Sequence, residues 1–263
     1  MTFELTPWID RTWKNAWQRV AQHVPESWLP RHTEASTSKR PVLAEYGCGH
    51  YGCVLPTHTP ELVLKLTTDP TEAAFVAWSL TIGPAESGIV KYERVLQIEG
   101  AQLRNRSIYL LWRSEAYEIG FLHAWNSSAR IALRALDSFK NKAAKARAKI
   151  HDWKRDPRVN FEERLGELWN AYEHGPTDKT SRAVVNLAHE LHQCRRAQEE
   201  LENTFAVSEP GGAIGYYMQH GVLLADVHAN NVGRDKERGS VIVDPGHAVP
   251  ISNTVKIPAI QTV

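Results

Sequence analysis

The stretch from Gly221 to Val249, GVLLADVHANNVGRDKERGSVIVDPGHAV, limits what this chain can fold into more than any other. Val222–Leu224 and Val241–Val243 are short apolar runs that read as buried strands, each opening onto a polar loop. Asp226 stands just after the first run, with Asn231 five residues on. Asp244 ends the second run and precedes Pro245-Gly246. If the two runs pair as a hairpin, two carboxylates and an amide converge on one spot. Magnesium takes oxygen ligands and keeps waters and phosphates in its shell, so such a trio suits it.

The rest of the chain offers room for a partner to that spot. A length of 263 residues allows a full core, as one large domain or two small lobes. Hydrophobic content of 42% and charged content of 23% are those of an ordinary globular chain, and a net charge of +1 gives no global attraction to nucleic acid or membrane. Cys48, Cys53 and Cys194 are too few for a disulfide framework and fit a reducing compartment. The N-terminus carries charges and tryptophans without the apolar core of a signal peptide, and no stretch approaches the roughly 20 apolar residues that span a bilayer. These features lead to the expectation of a cytoplasmic protein with no membrane contact.

Residues 1–40 read as an extension. Thr6 and Pro7 suit a helix start, and Ile9, Trp13, Trp17 and Val20 share one helical face. That face either packs on the main body or takes a partner. A polar linker, 31–40, follows. Residues 41–115 read as mostly strands: 42–46, the return from a glycine-rich turn at 47–54, 61–67, 89–98 and 107–112, with a polar turn at 99–106. Asp69-Pro70-Thr71-Glu72 marks a helix start, with Asp69 as cap and Glu72 where a capping-box carboxylate sits. Residues 116–205 read as almost entirely helical. Ala132, Leu136, Phe139, Ala143, Ala146, Ile150 and Trp153 form one apolar stripe. Phe161–Tyr172 and Val184–Leu201 carry two further helices. The fold class is therefore α+β, with residues 116–263 forming a helical part that ends in the opening stretch.

Gly47, Gly49, Gly52 and Val54 match G-x-G-x-x-G-x-V. A strand rather than a helix follows Gly52, which disfavours a dinucleotide fold and favours a hairpin flap whose amides cover phosphates. Glycine there lets the backbone approach an anion without a Cβ between them. An ordinary glycine-rich hairpin is the plainer reading. Cys48, His50, Cys53 and His58 also suggest a compact zinc site, although their spacing is tighter than that of zinc fingers. Under a phosphate flap, Cys48 and Cys53 would be neutral, partly exposed thiols. Lys65, embedded in VLKL, needs a partner or a pocket edge unless its strand faces solvent. Glu72, the acidic residue inside the next helix, either pairs with Lys65 or merely caps.

In that order, Gly47–Val54, Lys65 in VLKL, Asp226-Val-His-Ala-Asn-Asn231 and Asp244-Pro-Gly246 resemble the protein-kinase-like superfamily. The resemblance covers residues 42–249. It implies a two-lobed fold with a β-rich N-lobe and a mainly helical C-lobe, ATP and Mg2+ as cofactors, and phosphoryl transfer to a hydroxyl. Gly47, Gly49, Gly52 and Val54 would cover the phosphates, Lys65 would hold them, and Glu72 would orient Lys65. Asp226 would take the acceptor's proton, Asn231 and Asp244 would bind magnesium, and adenine would lie near Leu111 and the link that follows it.

Departures from the family bear on the acceptor. Leu224 and Ala225 replace the histidine and arginine that precede the aspartate, and Pro245 replaces phenylalanine. His228 replaces the usual lysine, as in small-molecule kinases of the aminoglycoside type, where it would meet the γ-phosphate or simply pack. Seventeen residues follow Gly246, with no A-P-E motif. The glycine flap points to a protein serine or threonine acceptor; His228 and the missing peptide platform point to a small molecule. A nucleotide-binding pseudokinase-like module is the non-enzymatic alternative. Arg130, Arg134, Lys140, Lys142, Lys145, Arg147, Lys149, Lys154, Arg155 and Arg158, set against Asp137, Asp152 and Asp156, form either a solvated helix face or a dock for an acidic partner. Exposed aromatics do not interleave with them, so base recognition has no support.

Overall fold

The computed structural model describes residues 17–31, 47–48, 52–103, 105–118 and 127–263. It is α+β, with a β-rich N-terminal region and a helical C-terminal part. Contacts divide the chain into two compact units: Met1–Pro84 with Lys91–Glu115 and Ile257–Val263, and Ala85–Val90 with Ala116–Lys256.

The first unit is built on an antiparallel five-stranded sheet. Its strands are β1 (Gly47–Cys48), β2 (Gly52–Pro56), β3 (Leu62–Thr67), β4 (Tyr92–Leu103) and β5 (Arg106–Ser114), in the order β1-β2-β3-β5-β4. Side chains alternate between its faces. Cys53, Leu55, Leu64, Leu66, Leu110 and Trp112 line one face and form a core with Val20 and Val24. Trp17 and Trp28 pack against it, and the Trp112 indole donates to the Trp28 carbonyl at 2.8 Å. Val20 of the extension is thus fully buried on its own unit, and of the expected helical face only Trp17 and Val20 are among the described residues. Residues 1–16 and the expected strand at 42–46 lie outside the described residues.

On the other face, Val54, Lys65 and Leu111 lie in register across β2, β3 and β5. Helix α1 (Pro70–Ile82) starts where the Asp69 carboxylate accepts the Thr71 amide at 2.8 Å, and ends at Gly83. The polar turn expected at 99–106 is shorter than its composition implied, because β4 continues to Leu103. A register shift between Gln97 and Gln102 spans Gly100, whose φ of 68° suits a bulge. The C-terminal residues extend this sheet: Val263 exchanges backbone bonds with Gln97 and Glu99 at 2.8–2.9 Å.

The second unit holds α2 (Ser127–Arg155), α3 (Phe161–His174), α4 (Arg182–Glu202) and α5 (Ser208–Gln219). From Ala132 to Ile150 the expected stripe of α2 is buried, and it faces α4. Asn160 and Ser181 cap α3 and α4 by accepting amides of the first turn. Residues 116–118 are not helical as expected but form strand β6 (Ala116–Glu118), which pairs with β8 (Val232–Asp235); β8 in turn pairs with β9 (Gly239–Ile242). β7 (Val222–Leu224) pairs with β10 (Ala248–Pro250). The two apolar runs therefore do not form one hairpin. Each takes a different partner: β7 pairs with the apolar Ala248–Pro250, and β9 with β8, whose Gly-Arg-Asp gives no strand signal.

Candidate functional site

Each unit carries a polar cluster, buried in the first and partly exposed in the second. In the first, the Lys65 ammonium meets the Glu72 carboxylate at 2.6 Å. Their side chains are 10% and 2% exposed. The sequence left two roles open for Glu72, and the contact places it on Lys65. The spacing follows from the fold: Lys65 lies within β3, two residues before its end, and Glu72 lies in the first turn of α1. Val54 and Leu111 flank Lys65 in the same sheet row. Leu111 is itself fully buried, and the link after it begins at Glu115, whose amide is tied to the Glu61 carbonyl at 2.8 Å.

The glycine-rich turn is a hairpin, with Gly47 opposite Val54 and Cys48 opposite Cys53. Gly49 and His50 lie outside the described residues. A Cβ on Gly52 would fall 1.8 Å from the Leu66 carbonyl oxygen, so close strand packing already requires glycine there. Cys53 departs from expectation. It is 1% exposed and disulfide-bonded rather than a partly exposed thiol, because its side chain points to the core face of β2. A sulfur engaged in a disulfide is not a thiolate and does not ligate zinc, so the compact zinc alternative does not hold for Cys53. Cys194 is a free, buried thiol pushed up to about 12 by desolvation.

In the second unit, Asp226, Asn231 and Asp244 are brought together by two ladders. The β7–β10 register sets Leu224 opposite Ala248, so the chain after Asp244 returns over Asp226. Gly246 makes the approach possible. A Cβ on it would lie 2.6 Å from the Asp226 Cβ and 3.3 Å from its Oδ2, and its φ is 55°. The Gly246 amide donates to Asp244 Oδ1 at 3.0 Å, closing the Asp-Pro-Gly turn. The β8–β9 register puts Val232 opposite Ile242, and the Val243 amide donates to the Asn231 carbonyl at 2.8 Å. Asn231 Nδ2 donates to the Asp226 carbonyl at 2.8 Å, which leaves Oδ1 as the acceptor end of its amide. His228 caps the one-turn 3-10 helix Ala229–Asn231, its Nδ1 accepting the Asn230 amide at 3.3 Å. That contact assigns His228 a local structural task.

The donor set fits magnesium. Two carboxylates and an amide oxygen are hard ligands, few enough to leave positions for water and phosphate. No group of three or more His, Cys, Asp and Glu suited to a metal occurs among the described residues. A site completed by phosphate oxygens does not need one. Two cavities of the second unit, of about 220 and 250 Å³, lie elsewhere, around Arg195 and Gln198 and beside Trp153.

One residue emerges that the sequence grouped differently. Lys140, counted within the basic run, brings its Nζ to 3.9 Å from Asp226 Oδ1. Both side chains are about a third or more exposed, so the pair adds at most about 1 kcal/mol to stability. Its stripe neighbour Phe139 is fully buried and fixes the helix face from which Lys140 projects; the spacing from Phe139 was the available signal. Elsewhere in the run, Lys149 pairs with Glu190 on α4, and Arg158 pairs with Asp156, whose carboxyl pKa the Arg158 hydrogen bond lowers to about 2. Arg130, Arg134, Lys145, Lys154 and Arg155 stay exposed.

Among the described residues, no helix is long and apolar enough to cross a membrane. Neither protein-family models nor curated proteins give a match to this chain.

Proposed function

We propose that this chain is an ATP-dependent phosphotransferase of protein-kinase-like, two-lobed architecture, moving the γ-phosphate to a hydroxyl acceptor, with a protein serine or threonine as the favoured acceptor. The observation that carries the reading is the junction at Gly246, where the absence of a Cβ lets the Asp244 turn lie directly against the Asp226 side chain. A second support is the buried Lys65–Glu72 pair. Replacing such a pair by apolar residues is often neutral or stabilising, so stability alone gives little reason to keep it. A lysine held by a carboxylate is ready to receive phosphate oxygens.

The roles follow from the chemistry. Phosphoryl transfer needs positioning and charge neutralisation more than covalent participation. Asp226 accepts the proton of the acceptor hydroxyl or orients that hydroxyl. Asn231 and Asp244 hold magnesium, which would neutralise charge on the phosphates. Lys65, oriented by Glu72, holds the phosphates at its own unit, with the glycine hairpin as their cover. The exposed cations of α2 remain a surface for an acidic partner.

Incubation with γ-labelled ATP, magnesium and cell lysate tests this. Label entering proteins supports the favoured acceptor, and label entering small molecules assigns the aminoglycoside-kinase-type alternative. Loss of labelling in Asp244→Ala ties it to this site. Tight ATP binding without transfer to any acceptor would reduce the chain to a nucleotide-binding module.

A further inference from the structure

We infer that Lys140, on α2, is the cation that meets the transferred phosphoryl group; this rests on the phosphotransferase reading above. The loop from Asp226 to Asn231, DVHANN, holds no lysine or arginine. His228 stands in its middle with Nδ1 committed to the Asn230 amide. Yet charge builds on the γ-phosphoryl oxygens in flight, and a fixed cation beside them lowers the barrier. Among the described residues, Lys140 is the lysine that pairs with Asp226 from outside the loop.

The geometry suits that task better than a structural one. At 3.9 Å, Nζ and Oδ1 attract each other but are beyond hydrogen-bond distance. Among the described residues the Lys140 ammonium makes no hydrogen bond, so its three donors remain for a ligand. Burial of Phe139 and Ala143 fixes the helix on either side, while the ammonium itself stays partly open to solvent. The neighbouring Lys142 is different, since its ammonium reaches back to Ser138 Oγ at 3.1 Å.

In the step, the acceptor oxygen forms its bond to the γ-phosphorus as the bond to the β,γ-bridging oxygen breaks. ADP leaves with that electron pair, and the hydroxyl proton passes to Asp226. Lys140 donates to the equatorial oxygens of the moving group and loses no proton. Its contact is with the γ-phosphate, so ADP does not reach it.

The test compares wild type, Lys140→Ala, Lys140→Arg and Lys179→Ala, the last an exposed lysine between α3 and α4. Each is measured for kcat, KM for ATP, and calorimetric affinity for ATP and ADP with magnesium. Lys140→Ala should lose about 10²–10³-fold in kcat, the range for removing one donor to transition-state charge. It should bind ATP less tightly while ADP affinity stays within about twofold. Lys140→Arg should recover to within about tenfold of wild type, and Lys179→Ala should match it. An active wild type whose Lys140→Ala variant stays within about threefold in kcat overturns this inference alone. A wild type that neither binds nor turns over ATP overturns the phosphotransferase reading, and this inference with it.

Discussion

Splitting the Lys65–Glu72 pair separates what it does for the fold from what it does for a ligand. The two side chains are 10% and 2% exposed and meet at 2.6 Å. Removing one member of such a pair strands a charge in a poorly hydrated place, at about 3–5 kcal/mol. Lys65→Met and Glu72→Leu should each lose that much. For a chain of this size the loss corresponds to a fall in Tm of roughly 6–20 °C. The double variant removes both charges and keeps comparable volume, so its stability should return to within about 2 kcal/mol of wild type. Urea unfolding of all four proteins gives the coupling energy, and hydrogen exchange over residues 62–78 locates the change in the first unit. The double variant should be folded yet bind ATP no better than Lys65→Met. Additive losses in the double variant would refute the reasoning, since they would mean that the two groups contribute independently of each other.

Further expectations follow from other contacts. Gly246→Ala should abolish transfer and cost about 1–3 kcal/mol, because its Cβ would lie 2.6 Å from that of Asp226 at a φ of 55°; activity near wild type would remove Gly246 as the spacer. Alkaline pH should destabilise the second unit. Burial raises Cys194 from 9.0 and Tyr217 from 10.0, each to about 12, so both favour the folded state while protonated. Their contribution is complete below about pH 9 and is lost as pH rises toward 12, a decline that Tm measured against pH would follow and that Cys194→Ala should lessen. Non-reducing peptide mapping should find Cys53 in a disulfide and Cys194 alkylated only after unfolding.

Local rules recovered the elements whose signals were strong. Asp69-Pro70 opens α1, the Ala132–Ile150 stripe lies buried on α2, and VLKL is a strand. They failed where pairing partners are polar. β8 reads VGRD and has no apolar alternation, so the run at Val241 looked free to pair with Val222. Tertiary context supplied its partner instead, since β6 and β9 hold β8 from both sides. Cys53 was misread for a related reason. Spacing in a glycine-rich turn says nothing about which face of the strand a thiol occupies, and the pleat put this one in the core.

The glycines show why a motif and its chemistry part company. Neither Gly52 nor Gly246 tolerates a Cβ, but for different reasons. At Gly52 the obstacle is the Leu66 carbonyl of the next strand, a packing demand of the local β2–β3 approach. At Gly246 the obstacle is the Asp226 side chain, so the glycine serves to set one acidic residue against the turn of another. A sheet has no packing need to seat a Gly turn against an acidic side chain, which the approach partly strips of hydration. A site that gathers oxygen ligands around a cation gains from that approach. Gly246 with Asp226, Asn231 and Asp244 therefore supports phosphate chemistry more strongly than the glycine-rich turn does. Lys140 follows the same logic. It was invisible among ten basic residues, and distance to Asp226 alone sets it apart from the cations that remain on the solvated face.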